Sequence, residues 1–180
     1  MNIPAEHDHY SDALIREILT KVKTIALVGA SSNPARPSYI VTKYLSERGF
    51  TVLPVNPGLA GQTIVGLPVY GSLAELPEAV DMVEIFRNSA AAAGITDEAL
   101  ALPSPPTVIW MQLGVRNDAA AARAQARGIR VIMNRCPKIE YGRMSGEIGW
   151  MGVNGGVVSS RRPQLGAGLQ NQVIGTFKRP

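Results

Sequence analysis

The chain has 180 residues, enough for one domain with a full core, and its 46% apolar content is ordinary for a globular protein. The formal charge of +4 sits at the end of the chain: after Glu147 come Arg161, Arg162, Lys178 and Arg179 and no acid, which leaves 14 basic and 14 acidic side chains in residues 1–147. A neutral body offers no basic face for nucleic acid, and no apolar run is long enough to span a membrane.

The opening segment, MNIPAEHDHY, has neither a basic region nor an apolar stretch and is not a secretory signal. With one cysteine and no internal disulfide, the expected location is cytoplasmic. Residues 1–10 are expected to be flexible, with His7 and His9 as spectators, because a metal site needs more ligands than this pair. Residues 11–22 predict a helix capped by Ser11, with Leu14, Ile15, Ile18, Leu19 and Val22 on one face and Tyr10 placed to staple Ile15. Ile25 to Val28 is an apolar run too short for a helix and reads as a buried strand ended by Gly29.

The loop Ala30-Ser31-Ser32-Asn33-Pro34-Ala35-Arg36 follows, and Pro37 then starts a helix that Gly49 stops, with Ile40, Val41, Tyr44 and Leu45 as its apolar face. Strand, small-residue loop and helix N-terminus is an arrangement by which α/β folds hold phosphate, since free backbone N–H groups there point at an anion.

Thr51 to Val55 is the second strand, with Pro54 marking a side where pairing stops early, and Asn56-Pro57-Gly58 turns the chain. Gly66 to Tyr70 is a short extended piece and Ser72 to Leu76 a helical turn. Val80 to Phe86 is the third major strand, followed by a helix over Asn88–Leu102 that Gly94 weakens. Thr107 to Met111, a helix over Arg116–Arg127 closed by Gly128, and Ile129 to Met133 complete the alternation.

Such alternation predicts a parallel sheet of about five strands with helices on both faces, and we expect the order 3-2-1-4-5. Ligands of these sheets lie beyond the carboxyl ends of the strands, at the switch point beside the first strand. That rule selects the loops at 29–37, 56–59, 86–88, 111–114 and 134–138. Beyond residue 145 the glycine-rich basic tail, 146–180, is expected to be partly mobile, with Ile148, Trp150 and Met151 packing back and the basic end open to a protein partner.

A dinucleotide fingerprint begun at Gly29 has Ser31 and Pro34 where its second and third glycines belong, and the second strand ends in Asn56-Pro57 with no acid for a ribose. NAD(P) is therefore disfavoured, and a P-loop is absent. Four motifs in order, VGASSNPARPSY, PVNPG, GLPVYGSL and NRCPKIE, resemble the small CoA-binding domain proteins, relatives of the N-terminal domain of the succinyl-CoA synthetase α subunit.

That resemblance spans roughly residues 11–145 and implies a Rossmann-like, three-layer α/β/α domain holding coenzyme A, free or as acyl-CoA. It places the phosphate loop on Ser31, Ser32, Asn33 and Pro34, with Arg36 in the shared N-x-x-R-P-S pattern; Gly29, Ala30 and Ser38 flank that loop as further candidate contacts. Leu59 stands where the synthetase has a lysine, and Arg36 is expected to supply the missing cation. Further contacts are implied at Asn56 and Pro57, at Phe86, Arg87 and Asn88, and at Met111, Gln112 and Leu113.

Ser38 is also a candidate helix cap, and Phe86 is more often core than a nucleotide contact. Cys136 is the candidate thiol, with Arg135 and Lys138 placed to favour its thiolate. The synthetase reaction needs a phosphorylated histidine from a second domain, and no histidine follows residue 9. The expectation is thus binding without catalysis. The alternatives are a nicotinamide-dependent oxidoreductase with a degenerate fingerprint, or a CoA-linked redox protein acting through Cys136.

Overall fold

A computed structural model of the chain describes residues 7–145. Seven strands and five helices alternate through it: α1 (Asp12–Lys21), β1 (Thr24–Val28), α2 (Pro37–Glu47), β2 (Thr51–Val55), β3 (Thr63–Ile64), β4 (Leu67–Pro68), β5 (Met82–Ile85), α3 (Ser89–Ala101), β6 (Val108–Met111), α4 (Asp118–Gln125), β7 (Arg130–Ile132) and α5 (Pro137–Met144). Short 3-10 turns at Pro57–Leu59 and Leu73–Glu75 fill the long connection from β2 to β5.

The local signals that mark these elements are visible in the structure. Ser11, Asn88 and Asn117 each accept a backbone N–H through the side chain at the start of α1, α3 and α4. At the end of α2, Phe50 N–H reaches Leu45 O at 3.2 Å and Gly49 N–H reaches Ser46 O at 3.1 Å, with Gly49 at φ 89°. This is a Schellman stop, and only glycine takes that left-handed corner without strain. The helix α5 is the element that sequence periodicity misses. Its buried residues are Pro137, Glu140 and Gly142, so it has no apolar stripe to read.

Five strands form one parallel sheet in the order β2-β1-β5-β6-β7. Numbered as major strands this is 2-1-3-4-5, which corrects the expected 3-2-1-4-5. The outer edge of β2 is taken by the Leu67–Tyr70 piece instead: Tyr70 N–H donates to Pro54 O and Asn56 N–H to Tyr70 O, both at 2.9 Å. Pro54 has no N–H on that side, so pairing there stops at a single bridge, Val55 to Tyr70. The third major strand must then cross back to the free edge of β1.

Helices α1, α2 and α5 cover one face of the sheet, over a core that includes Ile15, Leu27, Leu45, Met82, Trp110 and Ile132. Helices α3 and α4 cover the other, over Ala26, Val83, Ile85, Ala92, Ile109 and Met111. The alternation of side chains along each strand splits the core in this way. Residues 7–10 lie against the α5 side: His7 is buried, its Nδ1 2.9 Å from the Tyr10 hydroxyl, and that hydroxyl accepts Met133 N–H at 2.8 Å. The packing expected of Ile148, Trp150 and Met151 falls outside the described residues. Among those residues, no helix is long and apolar enough to cross a membrane.

Candidate functional site

Backbone pairing continues past the ends of the strands and brings four loops side by side. Gly29 N–H bonds Val55 O at 2.9 Å, Phe86 N–H bonds Val28 O at 2.8 Å, and Gln112 N–H bonds Ile85 O at 3.1 Å. The chain reverses its sideways direction between β1 and β5, so the loops at Gly29 and Phe86 diverge and leave a crevice. A cleft of about 790 Å³ opens there.

Of the candidate residues, Gly29, Ala30, Ser31, Arg36, Ser38, Asn56, Phe86, Arg87, Asn88, Gln112, Leu113 and Cys136 line this cleft. Ser32, Asn33 and Pro34 stand exposed at the tip of the loop and Pro57 on its 3-10 turn, outside the lining. Met111 does not reach the cleft with its side chain, which is fully buried in the core of the α3–α4 face. The cleft also draws on Lys138, at the end of the selected 134–138 loop, and on Ile40, Val41, Val115 and Ile139, which sequence reasoning did not assign to it. For Ile139 the missing signal was α5 itself.

The first turn of α2 is open. Its N-cap is Arg36, with no side chain capping the helix and no acid in the first turn. Ser38 is therefore not the cap: it lies one residue inside Pro37, buried and lining the cleft. Helix N-termini of this kind favour an anion through their free N–H groups and the positive end of the dipole.

The loop before α2 is shaped from within. Asn33 accepts Ala35 N–H through Oδ1 at 2.9 Å, and Ser31 Oγ accepts Asn33 N–H at 3.2 Å. Asn56 ties the loop to the end of β2, donating from Nδ2 to Ala30 O at 2.7 Å while Oδ1 accepts Gly58 N–H at 2.9 Å. Both ends of that amide are committed to backbone.

Charge is arranged in one sense. Among the described residues no aspartate or glutamate lines the cleft, whereas Arg36, Arg87 and Lys138 do. Among the described residues none of these three forms an ion pair, while Arg116, Arg123, Arg130 and Arg143 all pair with carboxylates elsewhere. The Arg87 stem crosses Gly29, where an added Cβ would stand 3.1 Å from Arg87 Cδ. A second groove of about 590 Å³, lined by Leu73, Leu76, Val80 and Leu102, carries Glu78 and Glu98 and no cation. An anionic ligand suits the first cleft and not the second.

Cys136 is 7% exposed, and burial pushes its thiol up rather than down. This corrects the expectation that Arg135 and Lys138 favour the thiolate. Arg135 instead donates to Asn134 O and Asp8 O and lies over the Tyr10 ring, and Lys138 stands over Tyr44. Among the described residues no group of three metal-ligating side chains is close enough to hold an ion.

Fold and cleft together define a Rossmann-like α/β domain with a cationic crevice at its switch point. The chain belongs to the CoA binding domain family, whose sequence model matches residues 23–142. This is the family that the four loop motifs resemble.

A Bacillus subtilis (strain 168) protein, the uncharacterized YneT, is 36% identical over 131 residues, covering 73% of this chain and 94% of that protein. The structure of a hypothetical protein from Pyrococcus horikoshii OT3 is 35% identical with a TM-score of 0.72, over 81% of this chain and all of that one. The dinucleotide forming acetyl-coenzyme A synthetase 1 of Ca. Korarchaeum cryptofilum, in complex with phosphate and ADP, is 25% identical with a TM-score of 0.54. That match covers 66% of this chain and 27% of the synthetase.

Proposed function

We propose that this protein binds coenzyme A, free or acylated, with the diphosphate against the N-terminus of α2, and carries out no reaction of its own. The observation that carries this reading is an uncapped helix N-terminus on a cleft lined by three cations, where the described residues supply neither an ion-pair partner nor a lining carboxylate. Coenzyme A carries a diphosphate and a ribose phosphate, and such groups are held best by charge-assisted hydrogen bonds from arginine and by backbone N–H groups. Membership of the CoA binding domain family supports the same ligand.

Nicotinamide dinucleotides fit less well, because Asn56 stands where they need a free acid and its amide is spent on Ala30 and Gly58. The absence of chemistry is argued from Cys136, the nucleophile at the cleft, which burial holds as a neutral thiol. A cytoplasmic location is part of the proposal, since it supplies both the ligand and reducing conditions.

The test is thermal stabilisation of the full chain by CoA, acetyl-CoA, NAD and NADP side by side. A ligand at about 100 times its Kd adds about 2.7 kcal/mol. Stabilisation by CoA or acetyl-CoA that is lost in Arg36→Ala supports the proposal. A response to NAD or NADP alone overturns it.

A further inference from the structure

A diphosphate at the α2 N-terminus accounts for Arg36, and for Arg87 lying over Gly29. It leaves Lys138 without a task. This residue is the second of α5, half-buried, and its Nζ stands 5.3 Å from the centre of the Tyr44 ring. Tyr44 lies two turns beyond Arg36 on α2, about 12 Å along the helix at 1.5 Å per residue. The two phosphates of a diphosphate share one bridging oxygen and cannot span that interval.

Beyond Ser38, the side chains that line the cleft from α2 are apolar. Ile40 and Val41 from α2 and Ile139 from α5 face the same cleft as Leu113 and Val115. Ile40 and Leu113 are 43% and 52% exposed, the most open large apolar side chains among the described residues. The cleft thus combines cations at the α2 N-terminus, apolar side chains and a separate ammonium that no carboxylate among the described residues neutralises.

We propose that Lys138 forms a second anion subsite, and that the ligand presents a further anionic group about a helix turn or two away from its diphosphate. The inference rests on the CoA reading of the cleft. Two groups in CoA chemistry supply such an anion: the ribose 3′-phosphate, one sugar away from the diphosphate, and the terminal carboxylate of a dicarboxylic acyl group, when the pantetheine arm folds back along the cleft.

Calorimetric titration of the full chain with CoA, 3′-dephospho-CoA, acetyl-CoA and succinyl-CoA separates these sources. Lys138→Met keeps the stem and removes the charge, and the same four ligands are titrated into it. If the 3′-phosphate is the partner, wild type binds CoA roughly tenfold more tightly than 3′-dephospho-CoA, and the variant erases the difference. If the carboxylate is the partner, succinyl-CoA outbinds acetyl-CoA by a similar factor in wild type only.

Equal effects of Lys138→Met on all four ligands, or no effect on any, would overturn the subsite while leaving CoA binding intact. Binding of none of the four by wild type would overturn both readings. The fold of the variant is checked by its thermal melt in the absence of ligand.

Discussion

Gln112 donates from Nε2 to Oε1 of Glu84 at 3.1 Å, beneath the floor of the cleft. Its own Oε1 accepts the N–H of Leu113 at 2.8 Å, and since a backbone N–H can only donate, that bond fixes which end of the amide faces Glu84. Glu84 is fully buried in β5, between Leu27 and Trp110 on the neighbouring strands, and among the described residues has no cation beside it. Burial holds its pKa well above the ordinary carboxylate range, so the side chain is a neutral acid whose second oxygen, Oε2, has no partner.

The unfolded chain releases the Glu84 proton in the ordinary glutamate range, while the folded chain keeps it. Stability from this group is therefore complete below that range and is lost as pH rises towards the raised folded-state value, by up to about 1.4 kcal/mol per pH unit. Glu84→Gln retains an acceptor for Gln112 and removes the titration. Thermal melts at pH 5 and pH 8 are expected to show the variant gaining on wild type at the higher pH. Parallel pH profiles would mean that Glu84 ionises without cost.

Gly29 sits at φ 94° with Arg87 Cδ and Phe86 Cβ 3.1 and 3.2 Å from where a Cβ would be, whereas Gly49, at φ 89°, has open space. Gly49→Ala should cost about 1–2 kcal/mol from the left-handed backbone alone. Gly29→Ala should cost more, because Arg87 and Phe86 must also shift, and it should weaken CoA binding. Urea denaturation of the two variants makes the comparison; equal losses would show that the close approach carries no energy.

Asn56 holds the β1–α2 loop against the end of β2 through its bond to Ala30 O, and shapes its own turn by accepting Gly58 N–H. Removing both bonds in Asn56→Ala should destabilise the domain by about 1–3 kcal/mol. Asn56→Asp should be the worse variant for ligand, since it sets a carboxylate against Ala30 O and adds negative charge to a cleft lined by Arg36, Arg87 and Lys138. Calorimetry with CoA tests this ordering. Tighter binding of NAD by Asn56→Asp than of CoA by wild type would favour the nicotinamide reading.

Cys136 is a buried neutral thiol at the cleft. Its alkylation by iodoacetamide at pH 8 should run about tenfold or more slower than that of free glutathione, and saturating CoA should slow it further. A rate at or above that of glutathione would restore thiol exchange with CoA as a function of this site.

Much of the site could be read from the chain because its signals are local. Pro37 and Gly49 bound α2, Asn88 and Asn117 open α3 and α4, and short apolar runs mark the strands. Each depends on the backbone preference of one residue and its near neighbours, which is information carried within a few positions. The placement of Gly29, Arg36, Phe86, Arg87 and Gln112 at one edge follows from alternation alone, since parallel strands joined by helices put all their following loops on the same side.

The remainder was decided by contacts between distant segments. Strand order turned on Tyr70 claiming the outer edge of β2, a bond between residues whose sequence context does not announce it. Met111 and Gln112 are neighbours in the chain, yet strand alternation sends one into the core and the other to the cleft. The neutral acid at Glu84 and the placing of Lys138 over Tyr44 depend on burial and on α5 docking beside α2, and both are properties of packing rather than of any local pattern. The chain by itself determined most of its elements and the loop that leads into α2 at the cleft. Only the packed sheet decided which charges meet there, because charge and burial act through space and not along the sequence.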